Sequence, residues 1–405
     1  MASMMRSFSY ALFALSLSII NLTGITAQPI FNVKTYGAVG DGVHNDTLAV
    51  QAALSAAAKS ASSIVLFPGP STYLTWPLRV VKANNMLIQF EPQALVLAPK
   101  MSDWPHVWPY GDSFWVFQEG SNLTLQGAGQ YETAIDGQGA DWWAAYRKHG
   151  AKRPTAFLNF ESVVSPTVRH LQYINSPSFH LVFNSCTNVL VEDASIYAPG
   201  DSPNTDGIDP GRCNGVTVRR TNISNGDDCV AIKSGTSNVL IEDSYFENGH
   251  GASIGSLGEN GANDTVTNVL VRNVTFVRTM GAAKVKAWQG GRGFARNLTW
   301  TNCTFVSVQT PLQFTQFYCP HDPSGCDPKN TTVLIQDISV YDSSGTQSDG
   351  HAAQFACTEM FPCTGISLSN VHIASDEGPN GKNDFTCENA HGTAVNVSPP
   401  SCLKP

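Results

Sequence analysis

The sequence predicts an all-β protein, a right-handed parallel β-helix with a short capping helix near its N-terminus. Runs of alternating apolar residues recur along the 405-residue chain, and the segments between them are rich in Gly, Asn, Asp and Ser. Only 14% of the residues are charged, against about 25% in ordinary soluble domains, which suits a dry, stacked interior. Because each coil of a solenoid buries its apolar residues against its neighbours, we expect one domain over residues 28–405.

The first residues have the features of a secretory signal, and we predict that residues 1–27 are removed. Arg6 supplies a positive charge, an apolar stretch runs from Tyr10 to Ile20, and Ala27 is a small residue at the cleavage point. The apolar stretch is too short to span a membrane, and no other long apolar segment follows it. The sequence therefore predicts a secreted protein without a membrane span.

The mature chain opens with elements that would close one end of the solenoid. Alternation over residues 31–39 predicts a strand, which a Gly-Asp-Gly turn would end. Asn45 or Asp46 can cap a helix over residues 47–59, which are rich in Ala, Leu and Gln. We expect this helix to plug the core, and residues 63–67 to form an apolar strand.

From about residue 85 onward the chain repeats itself. Runs that begin at residues 188, 215, 238, 268, 297, 332 and 365 are separated by 27, 23, 30, 29, 35 and 33 residues. This period indicates a solenoid or a related repeat array, but a propeller blade needs about 40 residues. The fixed frame of leucine-rich repeats is also absent, so a parallel β-helix fits best. The copies are NVLVEDASI (188–196), GVTVRRTNI (215–223), NVLIEDSYF (238–246), NVLVRNVTF (268–276), NLTWTNCTF (297–305), TVLIQDISV (332–340) and GISLSNVHI (365–373), with SPTVRHLQYI (165–174) as a weaker one.

The charge of the chain excludes one class of partner. Lys and Arg number 24 and Asp and Glu 32, which gives a formal charge of −8, and there is no basic run. Nucleic-acid binding depends on clustered positive charge, so we do not expect such a partner. We expect a monomer that needs no cofactor.

The cysteines indicate an oxidising compartment. All ten lie from Cys186 onward, and close spacing predicts three local disulfides. Paired C-x-x-C units typical of zinc sites are absent, so no metal is predicted. The predicted disulfides are Cys319–Cys326, Cys357–Cys363 and Cys387–Cys402, whereas Cys186, Cys213, Cys229 and Cys303 cannot be paired from spacing. Sequons for N-glycosylation recur along the chain, although Asn and Thr are also common in turns and side-chain ladders. Among them are those that begin at Asn45, Asn122, Asn263, Asn273, Asn297 and Asn330.

Three polar segments between consecutive runs are candidates for a site, because the inside of a β-helix is packed. They are SPNTDG (202–207), NGDDC (225–229) and NGHG (248–251). Each segment alone is ordinary turn sequence, since Asx residues bond their own backbone there. Their matching offsets favour a site, because equivalent positions on neighbouring parallel strands lie about 4.8 Å apart.

The register of these segments is open by one residue. Counting from the apolar residues before each segment places His250 beside Asp227, whereas counting from those after it places His250 beside Asp228. Either count gathers Asp206, Asp227, Asp228 and His250 on one face.

Such a cluster can supply both an acid and a base. Packed carboxylates repel one another, so one proton is held more tightly while a neighbouring carboxylate stays ionised. One acid and one base are what glycosidic cleavage requires. Lys284 and Lys286 alternate in a strand pattern and would point to the same face, where two ammonium groups suit an anionic substrate or merely neutralise the acids.

With these segments the sequence resembles the polygalacturonases, which are family 28 of the glycoside hydrolases. Four ordered motifs make the resemblance specific, and with the further similarities it spans nearly all of the mature chain. The motifs are SPNTDG (202–207), NGDDC (225–229), GHGASIGSLG (249–258) and KVKAWQGG (284–291), joined by FNVKTYGAVGDGVHNDT (31–47), Trp142-Trp143 and FTQFYC (314–319).

The resemblance implies a secreted, extracellular hydrolase that cleaves α-1,4 links of pectin with inversion, as a single displacement in the cell-wall region. It implies that Asp227 is the general acid, that Asp206 and Asp228 activate water, and that His250 supports protonation of the acid. It also implies substrate contacts for four residues. These are Asn204, Lys284, Lys286, which would grip a galacturonate carboxylate, and Tyr318 in the adjacent subsite.

Two departures from the family pattern stand out. Lys284 occupies the place of the usual Arg, and lysine lacks the planar fork that binds a carboxylate in two places, which favours weaker binding or a pectin other than plain homogalacturonan. No cysteine lies just before Gly249-His250, where many relatives have a partner for the cysteine after the GDD segment, so the partner of Cys229 stays open.

Other functions remain possible on the same fold. A calcium-dependent polysaccharide lyase would leave an unsaturated sugar, and a non-catalytic pectin-binding protein would release no sugar. The sequence does not distinguish endo from exo action, nor homogalacturonan from xylogalacturonan or rhamnogalacturonan.

Overall fold

A computed structural model describes residues 28–105, 113–129, 131–320 and 331–405. Within them the chain winds as a right-handed parallel β-helix, which confirms the predicted fold class, and every pairing between the named strands is parallel. The predicted signal segment (1–27), Cys326 and Asn330 lie outside the described residues. No helix in the described part of the chain is long and apolar enough to cross a membrane.

Each coil has three faces, which we number in chain order. The first face precedes the apolar runs, and the second and third faces are formed by the two halves of each run. In the later coils one long strand bends across the second and third faces, and its two halves pair separately.

The bounds of the strands follow, face by face. The first face contains Leu78–Val81, Ser113–Ser121, Ala156–Val164, Phe179–Asn184, Ile208–Gly211, Val230–Ile232, Ala252–Leu257, Ala283–Ala287, Leu312–Thr315, His351–Ala356 and Asp384–Glu388. The second face begins with Ile30–Asn32, Ser63–Phe67, Met86–Phe90, Thr124–Gln126, Thr167–Arg169, Thr187–Glu192, Asn214–Arg219 and Arg292–Thr301. The strands that continue from the second to the third face are Thr236–Glu247, Asn263–Val277, Leu334–Gln347, Cys363–Ser375 and Ala390–Ser398. The third face also contains Asp41–Asn45, Ser71–Leu74, Ala94–Leu97, Ala134–Asp136, Gln172–Ile174, Ser195–Tyr197, Asn222–Ser224 and Thr304–Val308.

Two left-handed residues in each coil explain why Asn, Asp and Gly recur in the runs. The first residue of each run has a positive φ, as does the sixth, where the chain bends from the second face to the third. Asn, Asp and Gly adopt this conformation most readily. The first positions are Asn188, Gly215, Asn238, Asn268, Asn297, Asp337 and Gly365, and the sixth are Asp193, Arg220, Asp243, Asn273, Asn302, Asp342 and Asn370.

The strand register corrects one predicted repeat. Leu298 pairs with Ile338, and Ile338 with Ile366, so the equivalent run begins at Asp337 rather than Thr332. The steps of 35 and 33 residues were therefore wrong, and the starts at 297, 337 and 365 give 40 and 28. Apolar residues alternate on both sides of Asp337, so the pattern alone could not fix the frame.

The N-terminal end combines confirmed and wrong predictions. Helix α1 spans Thr47–Ala57, two residues shorter than predicted, and buries its apolar side in the core as the predicted plug. The strand Ser63–Phe67 is confirmed. The strand predicted over residues 31–39 is confirmed only at its start, within Ile30–Asn32, because Asn32 Oδ1 accepts the Lys34 N–H at 2.9 Å and starts a 3-10 turn over Val33–Tyr36. The predicted Gly-Asp-Gly turn is wrong, since Asp41 begins the strand Asp41–Asn45.

Capping of α1 involves both predicted residues in different ways. Asp46 occupies the N-cap position without a side-chain bond to the helix. Its carboxylate instead accepts the N–H groups of Val39 at 2.7 Å and Gly40 at 3.1 Å. Asn45 Oδ1 accepts the Thr47 N–H at 3.0 Å, so it is Asn45 whose side chain caps the helix.

A second helix, α2, was not predicted. It spans Ala140–His149 and buries Trp142 and Trp143, so the tryptophan pair lies on a helix outside the coil. Short 3-10 turns also occur at Met101–Asp103 and Glu259–Gly261.

The core is a stack of like residues on successive coils. Phe117, Phe160 and Phe183 form one column, with ring centroids 5.1 and 4.7 Å apart. Phe314 and Phe355 continue the same kind of stacking at 4.8 Å. Each coil therefore depends on its neighbours for burial, as expected of a solenoid.

Two predicted disulfides are confirmed. Cys357–Cys363 and Cys387–Cys402 are bonded, whereas the predicted Cys319–Cys326 bond includes a residue outside the described ones and stays a prediction. The four cysteines that could not be paired, Cys186, Cys213, Cys229 and Cys303, are buried free thiols.

Three predicted sequon residues belong to side-chain ladders. Asn122, Asn273 and Asn297 are exposed, and each donates its amide to the neighbouring coil, to Asn85, Asp243 and Asn268 respectively. These contacts agree with the ladder interpretation, and glycosylation stays a prediction.

Candidate active site

The four predicted catalytic residues lie on three consecutive loops that join the third face to the first. The count from the apolar residues before the loops and the count from those after the loops are both correct, each for the strands on its own side. Ile223 pairs with Phe246 before them, and Ile232 pairs with Ile254 after them. One loop is therefore a residue longer than the next, and His250 lies beside Asp227 and Asp228 at once.

Buried hydrogen bonds to backbone carbonyls hold these loops in place. The side-chain amide of Asn225 donates to the Thr205 carbonyl at 2.8 Å and to the Asp228 carbonyl at 3.0 Å. A Cβ at Gly249 would lie 2.1 Å from Asn225 Oδ1 and 2.4 Å from the Asp227 carbonyl oxygen. The glycine before His250 is thus required by close approach of the neighbouring loop.

Asp227 and His250 form the central contact. His250 Nδ1 lies 3.0 Å from Asp227 Oδ1 and 3.8 Å from Asp228 Oδ1. Burial by itself would raise the pKa of Asp227, but the hydrogen bond with His250 and the attraction of His250 and Lys286 together outweigh it, and the pKa is lowered.

Asp228 is buried and held ionised. Its Oδ2 accepts a hydrogen bond from Lys286 Nζ at 2.7 Å, and its Oδ1 accepts one from Ser253 Oγ at 2.6 Å. Burial opposes ionisation, but the attraction of Lys286, Lys233 and Lys284 is stronger and lowers the pKa of Asp228.

Asp206 is the carboxyl that retains a proton most readily. Burial, followed by repulsion from Asp209, raises its pKa well above the ordinary value, and Lys233 opposes this shift. Lys233 Nζ lies 3.7 Å from Asp206 Oδ2. Two neighbouring carboxyls thus differ in protonation, because Asp228 has a bonded ammonium partner and Asp206 has a more distant one.

Sequence reasoning missed Lys233 and Asp209. Asp209 lies on the first-face strand Ile208–Gly211, and Lys233 directly follows the first-face strand Val230–Ile232. Val230 and Ile232 point inward, so Lys233 points outward. The alternation argument applied to Lys284 and Lys286 would have found Lys233. Asp209 is 3% exposed, and burial raises its pKa to about 7.

Asn204, which is predicted to contact the substrate, lies beside Asp227. Its Nδ2 donates to Asp227 Oδ2 at 3.4 Å, and its Oδ1 accepts from Arg153 at 2.7 Å. Arg153 also donates to the Pro177 and Pro203 carbonyls. Nothing in the sequence around Arg153 indicated this role.

The two predicted lysines lie on one strand, Ala283–Ala287, and both are nearly buried. Lys284 Nζ lies 3.2 Å from Met280 Sδ, and burial together with repulsion from Lys286 lowers its pKa to about 8. Burial would lower the pKa of Lys286, but the attraction of Asp228 and Tyr318 and the hydrogen bond to Asp228 together raise it. Tyr318 packs beside this lysine, with its ring centroid 5.4 Å from Lys286 Nζ and 5.5 Å from that of Trp288.

One group of residues has the donor atoms for a metal ion. Ligand atoms of Asp227, Asp228 and His250 lie within 4.8 Å of one another. The ammonium of Lys286, 2.7 Å from Asp228, already supplies a positive charge there. The arrangement therefore suits proton transfer between side chains without a metal.

Comparison with known proteins identifies the family. A model of the glycosyl hydrolases family 28 matches residues 103–402, and a model described as rhamnogalacturonase A/epimerase, pectate lyase-like, matches residues 30–76. A polygalacturonase of Chamaecyparis obtusa is 36% identical over 362 residues, which are 87% of this chain and 68% of that protein. A polygalacturonase of Prunus persica is 34% identical over 404 residues, which are 97% of this chain and 99% of that protein.

Solved structures share the fold. An endo-xylogalacturonan hydrolase from Aspergillus tubingensis has a TM-score of 0.79 and 25% identity, covering 93% of this chain and 100% of that one. An exopolygalacturonase from Thermotoga maritima has a TM-score of 0.72 at 17% identity over 91% of each chain, which supports the fold alone.

The parallel β-helix and its acidic corner, taken with these relatives, define a glycoside hydrolase. The chain belongs to glycosyl hydrolases family 28.

Proposed function

We propose that this protein is a polygalacturonase, which hydrolyses α-1,4 links between galacturonate units of pectin in a single displacement with inversion. The observation that supports this most strongly is the contact between Asp227 and His250, with Asp206, Asp228 and two lysines around it. The named polygalacturonases at 34% and 36% identity support the same substrate.

The acid is Asp227, and His250 controls its proton. At acidic pH the hydrogen-bonded pair holds one proton that is shared between two coupled groups. An anionic sugar that excludes water around Asp227 disfavours the carboxylate, so the proton moves from the imidazole to Asp227. From there Asp227 protonates the leaving glycosidic oxygen.

The base is the Asp228 carboxylate, with Asp206 beside it. In the free protein the ammonium of Lys286 neutralises Asp228. A galacturonate carboxylate that takes over Lys286 removes this counter-charge and makes Asp228 a stronger base toward water. Substrate binding and base activation are thus coupled through Lys286.

The other residues position the polymer. Asn204 and Tyr318 flank the reacting groups, and Lys284 adds positive charge beside Lys286. We propose that the protein acts outside the cell as a secreted monomer on cell-wall pectin, and that its reaction requires no metal or cofactor.

The test is digestion of polygalacturonate by the purified protein. We expect new reducing ends, no ultraviolet absorbance from unsaturated sugars, and the same rate after treatment with a chelator. Unsaturated product that depends on calcium would indicate a lyase, and binding without any product would indicate a non-catalytic protein.

A parallel digestion tests a second candidate substrate. The similarity to the endo-xylogalacturonan hydrolase and the lysine at position 284 favour xylogalacturonan as that candidate. A higher kcat/KM on xylogalacturonan than on polygalacturonate would replace the proposed substrate. The size of the earliest products would separate endo from exo action.

A further inference from the structure

A cavity on the first face, lined by apolar and polar residues, is not used by the mechanism above. Its volume is about 600 Å³, and it extends from the strand that follows Asp227 and Asp228 toward the N-terminal coils. Residues that offer charge or hydrogen bonds in it are Asn159, Asn184, Asp209, Arg212, Lys233 and Ser234. Such concave sites with a few convergent polar groups are typical of ligand subsites.

The strand register relates this cavity to Lys286. Ile232 pairs with Ile254, and Ile254 with Val285, so Lys233 and Lys286 occupy equivalent outward positions two coils apart. At about 4.8 Å for each coil, their backbones lie about 10 Å apart. The cavity extends from the coil of Lys233 toward the N-terminus, whereas Lys286 lies on the coil after His250.

Asp209 is the unusual member of the cavity. Among the described residues, neither of its carboxylate oxygens has a hydrogen-bond partner, although the side chain is buried. A buried carboxylate without a partner is costly, and burial accordingly raises the pKa of Asp209 to about 7.

The charges around Lys233 leave it able to bind an anion at acidic pH. The acidic groups that act on it are Asp209, Asp206, Asp228 and Asp227, and their attraction outweighs burial and raises the pKa of Lys233. Burial raises the pKa of Asp209 to about 7 and also raises that of Asp206. Both therefore keep a proton more readily than an ordinary Asp, so they compete less for the ammonium at acidic pH.

We propose that this cavity binds the galacturonate unit on the opposite side of the scissile bond from the unit held by Lys286, and that the Lys233 ammonium pairs with its carboxylate. The inference rests on the proposed function and adds a second carboxylate contact. The two lysines then require charge on both sides of the cleaved link.

The experiment pairs two enzymes with two substrates. The substrates are an oligogalacturonide of fixed length and the same oligomer methyl-esterified only at the unit assigned to the cavity. For Lys233→Met we expect kcat/KM to fall about 10- to 100-fold on the acidic oligomer, the range for a hydrogen bond to a charged group. On the esterified oligomer the loss should be about tenfold smaller or less, because the partner charge is already absent and only the effect of Lys233 on Asp206 and Asp228 remains.

The controls separate charge from folding. Lys233→Arg keeps the charge and should recover much of the lost kcat/KM, whereas Lys59→Met, at an exposed lysine on the opposite end of the chain, should behave as the natural protein. Esterification should itself lower kcat/KM of the natural protein about 10-fold or more, a readout that requires no variant.

Two results would overturn the subsite. One is an equal loss for Lys233→Met on both oligomers, which would mean that Lys233 acts only through Asp206. The other is an unchanged kcat/KM of the natural protein after esterification at that unit. A natural protein that cleaves neither oligomer would overturn the proposed function first, and the subsite with it.

Discussion

At the scale of single residues, the proposed reaction depends on where one proton lies in the Asp227–His250 pair. The 3.0 Å contact allows that proton to pass between the imidazole and the carboxyl. The low pKa of Asp227 in the free state is therefore compatible with an acid role, because substrate binding changes the surroundings of the pair.

Replacing Asp227 by Asn removes that proton donor while keeping the shape of the side chain. We expect Asp227→Asn to lower kcat on polygalacturonate by about 10²- to 10⁴-fold, the usual contribution of a positioned acid. The unfolding temperature should stay within a few degrees of the natural value.

Asp201→Asn is the control for this change. Its carboxylate is 80% exposed on the same corner of the coil and is paired with Arg147, and we expect its kcat to be unchanged. Activity of Asp227→Asn comparable with that of Asp201→Asn would refute the assignment of the acid.

Asp209 gives a stability prediction with a definite sign. Its pKa is about 7 in the folded protein and about 4 in an unfolded chain, so the folded state keeps a proton that the unfolded state releases between these values. The free energy of unfolding should fall as the pH rises from 4 to 7, by at most about 4 kcal/mol at 1.36 kcal/mol for each pKa unit.

Asp209→Asn does not titrate and should lose this dependence. In urea unfolding, we expect the variant to equal the natural protein near pH 4 and to exceed it by about 2–4 kcal/mol at pH 8. A variant that is less stable at pH 8 would mean that the Asp209 carboxylate is stabilising in the folded protein.

Sequence reasoning found the catalytic cluster because its members follow equivalent apolar runs. It missed Asp209 because a single acid between Ile208 and Pro210 has no distinguishing pattern. It also missed that Lys286 bonds to Asp228 in the free protein, since a contact across two coils depends on side-chain direction rather than on spacing.

At the scale of the structural element, the corners of the coil are fixed by left-handed residues and by ladders of their side chains. Asn268 occupies such a corner with φ +58. Its amide donates to Asn238 at 2.8 Å, and its Oδ1 accepts from Asn297 at 2.7 Å.

Two variants at this position separate the ladder from the backbone. Asn268→Gly tolerates the positive φ but loses both hydrogen bonds, and we expect a loss of about 1 kcal/mol in the free energy of unfolding. Asn268→Ala also forces a left-handed alanine and should lose about 2 kcal/mol in total. Chemical denaturation measures both, and an alanine variant as stable as the glycine variant would contradict the role of the corner.

The elements that sequence reasoning missed are those outside the repeat. Helix α2 interrupts the coils at Ala140–His149, where no equivalent run exists to compare with. The frame of the run at Asp337 was misplaced because alternation persists through the preceding residues, and only the pairing with Leu298 fixes it.

At the scale of the whole molecule, the repeat made the fold predictable. A sequence period of about one coil, a low fraction of charged residues and turn residues at fixed places are together compatible with few other folds. The stack then places equivalent loops beside one another, which is why residues 206, 227, 228 and 250 meet although up to 44 positions separate them.

The account as a whole claims that this corner of the coil hydrolyses galacturonan with inversion. Proton NMR of polygalacturonate during the first minutes of digestion tests that claim most directly, because it reports the bond cleaved and the configuration of the new end together. We predict that the β-anomer of the reducing galacturonate appears first and that the α-anomer follows only by mutarotation. Early α-anomer, an unsaturated sugar or no new end at all would contradict the account.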